Sequence, residues 1–186
     1  VSYVSNISQF GDPDVVIIPG SKNTISDLLW MRQNGLEGKI LRHAAKGGIV
    51  FGICGGYQML GQSISDPTGA EQKGTVRGMG LLPVTTVFEQ EKRRTRVSGR
   101  FAKVGGALAE MSGVCYEGYE IHMGRTVLSK GTVPLVYMEE EGEQRQDGAQ
   151  SDHVYGCYMH GIFDMSETVK TFLAAVLRKK GIDPSK

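Results

Sequence analysis

Cys54 is the residue of this sequence best placed to do chemistry. It directly follows an apolar run at 49–53, Ile-Val-Phe-Gly-Ile, and it precedes Gly55, Gly56 and a segment typical of a helix. On such a turn the helix N-terminus lowers the thiol pKa, and free backbone N–H groups can stabilise an oxyanion. The pattern is the cysteine counterpart of the Gly-x-Ser-x-Gly nucleophile elbow. The alternative is a structural cysteine buried where a strand packs tightly on a helix.

A thiol nucleophile needs a base, and histidine is its usual partner. His160 follows the apolar run at 154–159, which is typical of a strand. In a doubly wound sheet the C-terminal ends of the strands share one edge, so we expect His160 to lie near Cys54. His160 is therefore the predicted base. His122, within Tyr-Glu-Ile-His-Met-Gly at 119–124, is the alternative base, or else a structural or substrate-side residue.

A Pro-Gly-Ser turn at 19–21 ends another short apolar run, Val-Val-Ile-Ile at 15–18. We expect this turn at the same edge of the sheet, because it also follows a buried strand. Its backbone N–H groups could supply a second donor to an oxyanion. A Pro-Gly pair by itself indicates no more than a tight turn.

The elements that would position these residues alternate between strand and helix, which favours an α/β fold. Capping-box sequences at 24–27 and 164–167 predict the starts of two helices. Short alternating runs between 74 and 125 predict antiparallel strands and hairpins appended to the sheet. Outside that middle segment, strands are predicted at 15–18, 49–53 and 154–159. Helices are predicted at 24–35 and at 36–46, and a last helix is predicted to begin at the capping box 164–167 and to be ended by Gly181 and Pro184.

Composition favours one soluble domain. The 186 residues are 40% hydrophobic and carry 21 basic against 20 acidic side chains, which gives no electrostatic reason to expect nucleic acid or an anionic membrane as partner. No apolar run approaches the roughly 20 residues that span a bilayer. The three cysteines form no CxxC pair, no metal-ligand spacing is visible and the expected compartment is the cytoplasm. The first residue is Val, which favours a piece of a longer chain.

Together these motifs resemble the glutamine amidotransferases of class I, the triad type with a Cys–His site. Residues 52–58, Gly-Ile-Cys-Gly-Gly-Tyr-Gln, match the Gly-x-Cys-x-Gly-x-Gln pattern of that class. Four further segments are similar to the C-terminal domain of the cobyric acid synthase family, and these are 19–24, 80–84, 119–124 and 160–164. The resemblance implies one domain over residues 1–186, with a mostly parallel, flavodoxin-like central sheet flanked by helices.

The resemblance also implies roles for single residues. Cys54 would attack the carboxamide carbon of glutamine. His160 would protonate the leaving ammonia and then activate water against the γ-glutamyl thioester. The backbone N–H groups of Ser21 and Gly55 would form the oxyanion hole.

Three further residues would contribute to the glutamine pocket, namely Gly20, Gly56 and Gln58. One departure concerns the position two residues after the catalytic histidine. The wider class has an orienting Glu there, whereas this sequence has Ile162. Glu120 is a candidate to orient His160 in its place, and it could equally contact glutamine or a domain interface.

The same resemblance implies partners. Ammonia would pass to an N-terminal, ATP- and Mg-dependent synthase domain of the same full-length chain, which lies outside this sequence. The acceptor there would be a corrinoid, adenosylcobyrinic acid a,c-diamide, with four carboxylates converted to amides. No P-loop motif is present, so no cofactor is expected in this domain.

Three alternatives remain open at the level of sequence. The domain could serve a related ligase, such as a cobyrinic a,c-diamide synthase or a peptidoglycan-precursor amidase. It could be a non-catalytic interaction domain that keeps the fold. It could also be another α/β thiol hydrolase, active on esters or peptides.

Overall fold

The computed structural model describes residues 1–140 and 142–185, with the backbone alone for 90–93. Two 3-10 turns, Ile7–Gln9 and Gly106–Met111, accompany the regular elements. The regular elements follow one another along the chain in this order: β1 (Val15–Ile18), α1 (Thr24–Gln33), α2 (Leu36–Ala45), β2 (Ile49–Ile53), α3 (Gly55–Leu60), β3 (Ser63–Asp66), β4 (Gly74–Arg77), β5 (Val84–Phe101), β6 (Cys115–Leu128), β7 (Val136–Glu140), β8 (Glu143–Asp147), β9 (Ala149–Ser151), β10 (Val154–Cys157), β11 (Met159–His160) and α4 (Ser166–Lys179).

The first sheet contains the short apolar strands, in the order β1-β2-β10-β9. β2 pairs in parallel with β1 on one side and with β10 on the other, and β9 is antiparallel to β10. Side chains alternate across β2. Val50 packs with Ile25 and Ile40 of the first two helices, whereas Phe51 packs with Phe172 of α4. Helices therefore cover both faces, which is why these strands are apolar throughout.

The middle of the chain builds a second sheet of seven strands among the described residues, ordered β11-β6-β5-β3-β4 with β7 and β8 continuing from β5. β3 and β5 are parallel, and the remaining pairs are antiparallel. The α/β class and the parallel sheet flanked by helices are confirmed. The antiparallel strands, expected as an appendage of that sheet, form a sheet of their own because β5 and β6 pair along most of their length.

The apolar run that precedes His160 is divided between the two sheets. It was expected to form one strand, but β10 ends at Cys157 in the first sheet and β11 begins at Met159 in the second. The chain crosses between the sheets at Tyr158. It crosses in the opposite direction at Gly148, between β8 and β9. The sequence carries no signal for this crossing at residue 158. Residues 154–159 are all buried and His160 is partly buried, so the run stays apolar across the change of sheet.

The two predicted capping boxes do not form. Asn23 precedes α1 and Met165 precedes α4, and neither donates or accepts a side-chain cap hydrogen bond. At α1 the Thr24 hydroxyl instead donates to the carboxylate of Glu71, 47 residues later in the chain. None of the described helices is long and apolar enough to cross a membrane.

Candidate active site

Cys54 lies on a strained turn between β2 and α3. Its φ of +52° and ψ of −109° place it in a region that non-glycine residues rarely adopt. Its backbone N–H donates to the carbonyl oxygen of Cys157 at 2.9 Å, and its own carbonyl accepts from the N–H of Gln58 at 3.0 Å. Such an outlier in a turn that carries a thiol is typical of a functional site, because the surrounding structure must maintain the strain.

The Cys54 thiol is buried. Its pKa is raised to about 11, mainly by burial, and the carboxylates of Asp147, Glu71 and Glu120 contribute to the same shift. The backbone N–H of Gly55 has the opposite effect, since it points at the sulfur and stabilises the thiolate. The turn therefore supplies a donor aimed at Sγ, but burial is the larger effect.

The structure brings His160 to the same place, although from the second sheet. A Cβ placed on Gly20 would lie 2.8 Å from His160 Cε1 and 3.6 Å from Cys54 Cβ. Gly20 therefore borders both residues, and only a residue without a side chain fits between them. Burial lowers the pKa of His160, the Ile121 carbonyl raises it and the charge of His122 lowers it.

Two residues of β6 that sequence reasoning missed also contact this pair. The Cys54 thiol donates to the carbonyl oxygen of Ile121 at 3.4 Å. The Tyr119 ring lies parallel to the His160 ring, with centroids 5.2 Å apart and an angle of 5°. Within the motif at 119–124, possible roles were predicted only for Glu120 and His122. Side chains alternate along a strand, so Tyr119 and Ile121 lie on the face opposite to Glu120 and His122, and this alternation was the available signal for them.

The two backbone groups predicted as an oxyanion hole lie next to each other. A Cβ placed on Gly55 would lie 2.9 Å from the backbone nitrogen of Ser21 and 3.1 Å from Thr24 Oγ1. The Ser21 hydroxyl donates to Asp27 at 2.5 Å and accepts from the N–H of Asn23 at 2.9 Å. These bonds fix the turn after β1 against the first turn of α1.

Gly56 and Gln58 are buried in the packing around α3. A Cβ on Gly56 would lie 2.1 Å from the carbonyl oxygen of Ile18, so α3 can approach β1 only with glycine here. Gln58 is 2% exposed and donates from Nε2 to the Tyr158 hydroxyl at 3.1 Å. These contacts are with the protein itself, and a role in binding glutamine stays a prediction for both residues.

Glu120 and His122 project into the interior behind β6. Arg145 donates to Glu120 Oε2 at 2.6 Å, and His122 Nε2 lies 3.5 Å from Oε1. Burial opposes ionisation of Glu120, but the hydrogen bonds from His122 and Arg145 outweigh it and lower the pKa to about 2. The His122 ring stacks on Tyr158 with centroids 3.6 Å apart. The contacts described for Glu120 are thus with Arg145 and His122, whereas the ring of His160 contacts Tyr119. A role of Glu120 in orienting His160 stays a prediction.

A groove of about 860 Å³ opens beside Tyr119 and Ile121. Its remaining lining residues include side chains of both charges, and they are Arg94, Thr95, Arg96, Glu117, Gly118, Asp164 and Met165. One of its lining residues, Tyr119, is the strand partner of His160. Within the described residues, no cluster of three or more His, Cys, Asp or Glu side chains could hold a metal ion.

The fold defines the class of protein. A crystal structure of a glutamine amidotransferase superposes with a TM-score of 0.62 at 15% identity, covering 96% of this chain and 85% of that one. The structure of PurLQS from Thermotoga maritima superposes with a TM-score of 0.67 at 18% identity, with the same coverage. The chain has the fold of the class I glutamine amidotransferases.

Its sequence places it more narrowly. Residues 1–168 match the CobB/CobQ-like glutamine amidotransferase domain, and the chain belongs to that family. It is similar to the cobyric acid synthase of Ruminiclostridium cellulolyticum, at 52% identity over 100% of this chain and 37% of that protein. It is also similar to the cobyric acid synthase of Lachnoclostridium phytofermentans, at 42% identity over 98% of this chain and 38% of that protein. The chain spans little more than a third of the length of these relatives.

Proposed function

We propose that residues 1–186 form the glutamine-hydrolysing domain of a cobyric acid synthase. The observation that carries the proposal is the position of Gly20, which borders Cys54 on one side and His160 on the other. A thiol on a strand–helix turn, a histidine beside it and two backbone N–H groups at the turn are the parts that acyl transfer needs. The family and the relatives make the γ-carboxamide of glutamine the expected substrate.

In the first half-reaction, Sγ of Cys54 attacks the carboxamide carbon while His160 takes the thiol proton. A C–S bond forms, and the carbonyl oxygen becomes an oxyanion beside the N–H groups of Ser21 and Gly55. The C–N bond then breaks as His160 returns the proton to nitrogen. Ammonia leaves, and a γ-glutamyl thioester remains on Cys54.

In the second half-reaction, His160 takes a proton from water, and the resulting hydroxide attacks the thioester carbon. The C–S bond breaks, glutamate is released and the proton returns to the sulfur of Cys54. Burial supports this role, because it lowers the pKa of His160 and keeps the imidazole neutral and able to accept a proton. The same burial keeps the thiol protonated, so the nucleophile forms only when the base acts.

The ammonia would be used by a synthase portion of the same full-length polypeptide. The relatives are named cobyric acid synthases and are nearly three times as long as the matched segment, which leaves room for such a portion. That portion would use ATP and Mg to activate carboxylates of the corrinoid acceptor, adenosylcobyrinic acid a,c-diamide. This domain would need no cofactor of its own and would work in the cytoplasm.

The test uses 6-diazo-5-oxo-norleucine, an electrophilic analogue of glutamine, with the adduct mapped by mass spectrometry in the full-length polypeptide. We expect an adduct on Cys54 that excess glutamine suppresses. Cys115 is the matched control, because it is exposed and lies away from the elbow. Cys115→Ala should keep both the adduct and glutaminase activity, whereas Cys54→Ala should lose both. Full glutaminase activity in Cys54→Ala would overturn the assignment.

A further inference from the structure

A single peptide group joins the candidate nucleophile to a buried carboxylate. The peptide between Cys157 and Tyr158 accepts through its C=O the backbone N–H of Cys54, at 2.9 Å. Through its N–H it donates to Oδ2 of Asp147, at 2.8 Å. The carboxylate and the Cys54 backbone are therefore connected in line through one rigid amide plane.

This connection lies where the chain passes between the two sheets. Asp147 is the last residue of β8, directly before the crossing at Gly148, and Tyr158 is the residue of the second crossing. A Cβ on Gly148 would lie 2.3 Å from the carbonyl oxygen of Gly156, so the crossings pack directly against each other. The Asp147 carboxylate adds a polar contact between the two crossings, next to the pairing of Gly156 with Ala149.

The environment makes this contact strong. Asp147 is almost fully buried, and burial raises its pKa above the ordinary value; the N–H groups of Tyr158 and Gly148 oppose this shift without cancelling it. The charged groups that act on it are Glu120 and Arg145, of opposite sign. The donated N–H matters in either protonation state: an ionised carboxylate forms a hydrogen bond about twice as strong as one between neutral groups, and a neutral buried carboxyl still needs a partner for its oxygen. In both cases the bond polarises the amide that donates it. The C=O that holds Cys54 becomes a better acceptor as a result.

We propose that Asp147 is a positioning residue that holds both Cys54 and His160 in place through the peptide between residues 157 and 158. Cys54 needs such support because its φ is strained. His160 depends on the same peptide because it follows Tyr158 by two residues, and its pairing with Tyr119 begins directly after the crossing. The residue acts through the backbone and does not touch substrate.

This role rests on the proposed function, and it accounts for a departure from the triad pattern. The position of the orienting carboxylate is taken by Ile162, which is 1% exposed and packs in the apolar core. The contacts of the His160 ring with Tyr119 and with the Ile121 carbonyl come from the neighbouring strand. Those contacts can form only if β11 enters the second sheet in the correct register, which the Asp147 bond fixes.

The deciding experiment is Asp147→Asn in the full-length polypeptide. The amide oxygen can still accept from Tyr158, but an amide cannot ionise. We expect kcat for glutamine hydrolysis to fall by about 10- to 100-fold, because small displacements of reacting groups cost that much. KM for glutamine should change less than about threefold, since the residue does not touch the substrate. Amide hydrogen exchange at Cys54 should accelerate by at least about tenfold.

Glu37→Gln is the matched control, because Glu37 is also a buried carboxylate but pairs with Arg32 in the helical layer. It should leave kcat and exchange at Cys54 unchanged. Should Asp147→Asn not fold, an amide-to-ester replacement at Tyr158 removes the donated N–H and weakens the Cys157 carbonyl as an acceptor, so it tests both halves of the same link.

A folded Asp147→Asn variant with wild-type kcat and wild-type exchange at Cys54 would overturn the proposal. So would a uniform acceleration of exchange over both sheets, since that indicates a purely structural role. If the wild type does not hydrolyse glutamine, the proposed function fails. In that event two measurements still decide whether Asp147 holds the turn: amide hydrogen exchange at Cys54 and the rate of its alkylation by iodoacetamide, each compared between the wild type and Asp147→Asn.

Discussion

The rings of Tyr119 and His160 lie parallel, with centroids 5.2 Å apart and an interplanar angle of 5°. The two residues are also direct partners in the register of β6 and β11. The stacking therefore follows from the strand pairing, and it limits rotation of the imidazole about its side-chain bonds. In the wider class a carboxylate two residues after the histidine would limit that rotation. Here an aromatic face does so.

Tyr119→Leu should lower kcat for glutamine hydrolysis by about 2- to 10-fold, because a stacked aromatic pair is worth about 0.5–1.5 kcal/mol beyond its buried area. Tyr119→Phe keeps the ring and should keep kcat within about twofold of the wild type. Steady-state kinetics with ammonia detection gives both values. Equal activity in Tyr119→Leu and Tyr119→Phe would show that the stacking does not position His160.

Gly20→Ala should abolish most activity while the protein stays folded. The added Cβ would lie 2.8 Å from His160 Cε1, so the imidazole must move away from Cys54. We expect kcat to fall by about 100-fold or more. Steady-state kinetics gives kcat and KM, and the melting temperature shows whether the variant is folded. Gly38→Ala in α2 is the control, because its Cβ would meet nothing closer than 3.8 Å and alanine favours the helix. Active Gly20→Ala would exclude the proposed arrangement of nucleophile and base.

The reactivity of Cys54 should rise with pH well beyond neutrality. Burial raises the pKa of its thiol to about 11, so the thiolate fraction keeps increasing up to that pH. A preformed thiolate–imidazolium pair would instead react at a constant rate from about pH 6 upwards. The measurement is the rate of iodoacetamide modification of Cys54 against pH, with Cys115 followed in the same samples by mass spectrometry. A plateau for Cys54 below pH 8 would contradict the burial effect.

The acidic limb of glutamine hydrolysis reports on His160. Burial lowers the pKa of this imidazole, so it loses its proton below the ordinary value of about 6.5. In the proposed mechanism the base form is active, so kcat/KM should rise with pH along a limb whose midpoint lies below about pH 6.5. A midpoint above that pH in the wild type would mean that another group, or a substrate-induced change, controls the base.

Local sequence determines the first half of the fold, so the strands, helices and turns of that half could be predicted. Apolar β-branched runs closed by Pro-Gly or Gly-Gly specify β1 and β2, and the Gly-rich turn after β2 specifies the elbow at Cys54. These signals lie within a few residues of the structures they produce. The neighbourhood of Ser21 and Gly55 follows because both turns end parallel strands at one edge.

The rest depends on contacts between distant residues that no local pattern encodes. The run from Val154 is equally apolar on both sides of Tyr158, so nothing marks the crossing between sheets. The carboxylate that fixes the crossing, Asp147, lies 11 residues earlier in a polar strand. At α1, the hydroxyl of Thr24 is taken by Glu71 rather than by the helix backbone, so the capping-box signal was misleading.

Glu120 should make the protein sensitive to acid. Hydrogen bonds from His122 and Arg145 lower its pKa to about 2 in the folded state, from an ordinary value near 4.5. A carboxylate with a lowered folded pKa contributes stability that is fully present above its unfolded pKa and lost as pH falls through the folded value. The difference corresponds to about 3 kcal/mol, lost progressively between about pH 5 and pH 2.

Glu120→Gln removes this contribution, so its free energy of unfolding should be lower by about 3 kcal/mol at pH 7 and should fall less steeply towards pH 2. Urea denaturation at a series of pH values measures both effects. Some acid dependence will remain in the variant, because four backbone N–H groups also lower the pKa of Asp66. Parallel stability–pH curves for wild type and Glu120→Gln would mean that Glu120 titrates normally. The ion pair with Arg145 and the contact with His122 would then contribute nothing to the folded state.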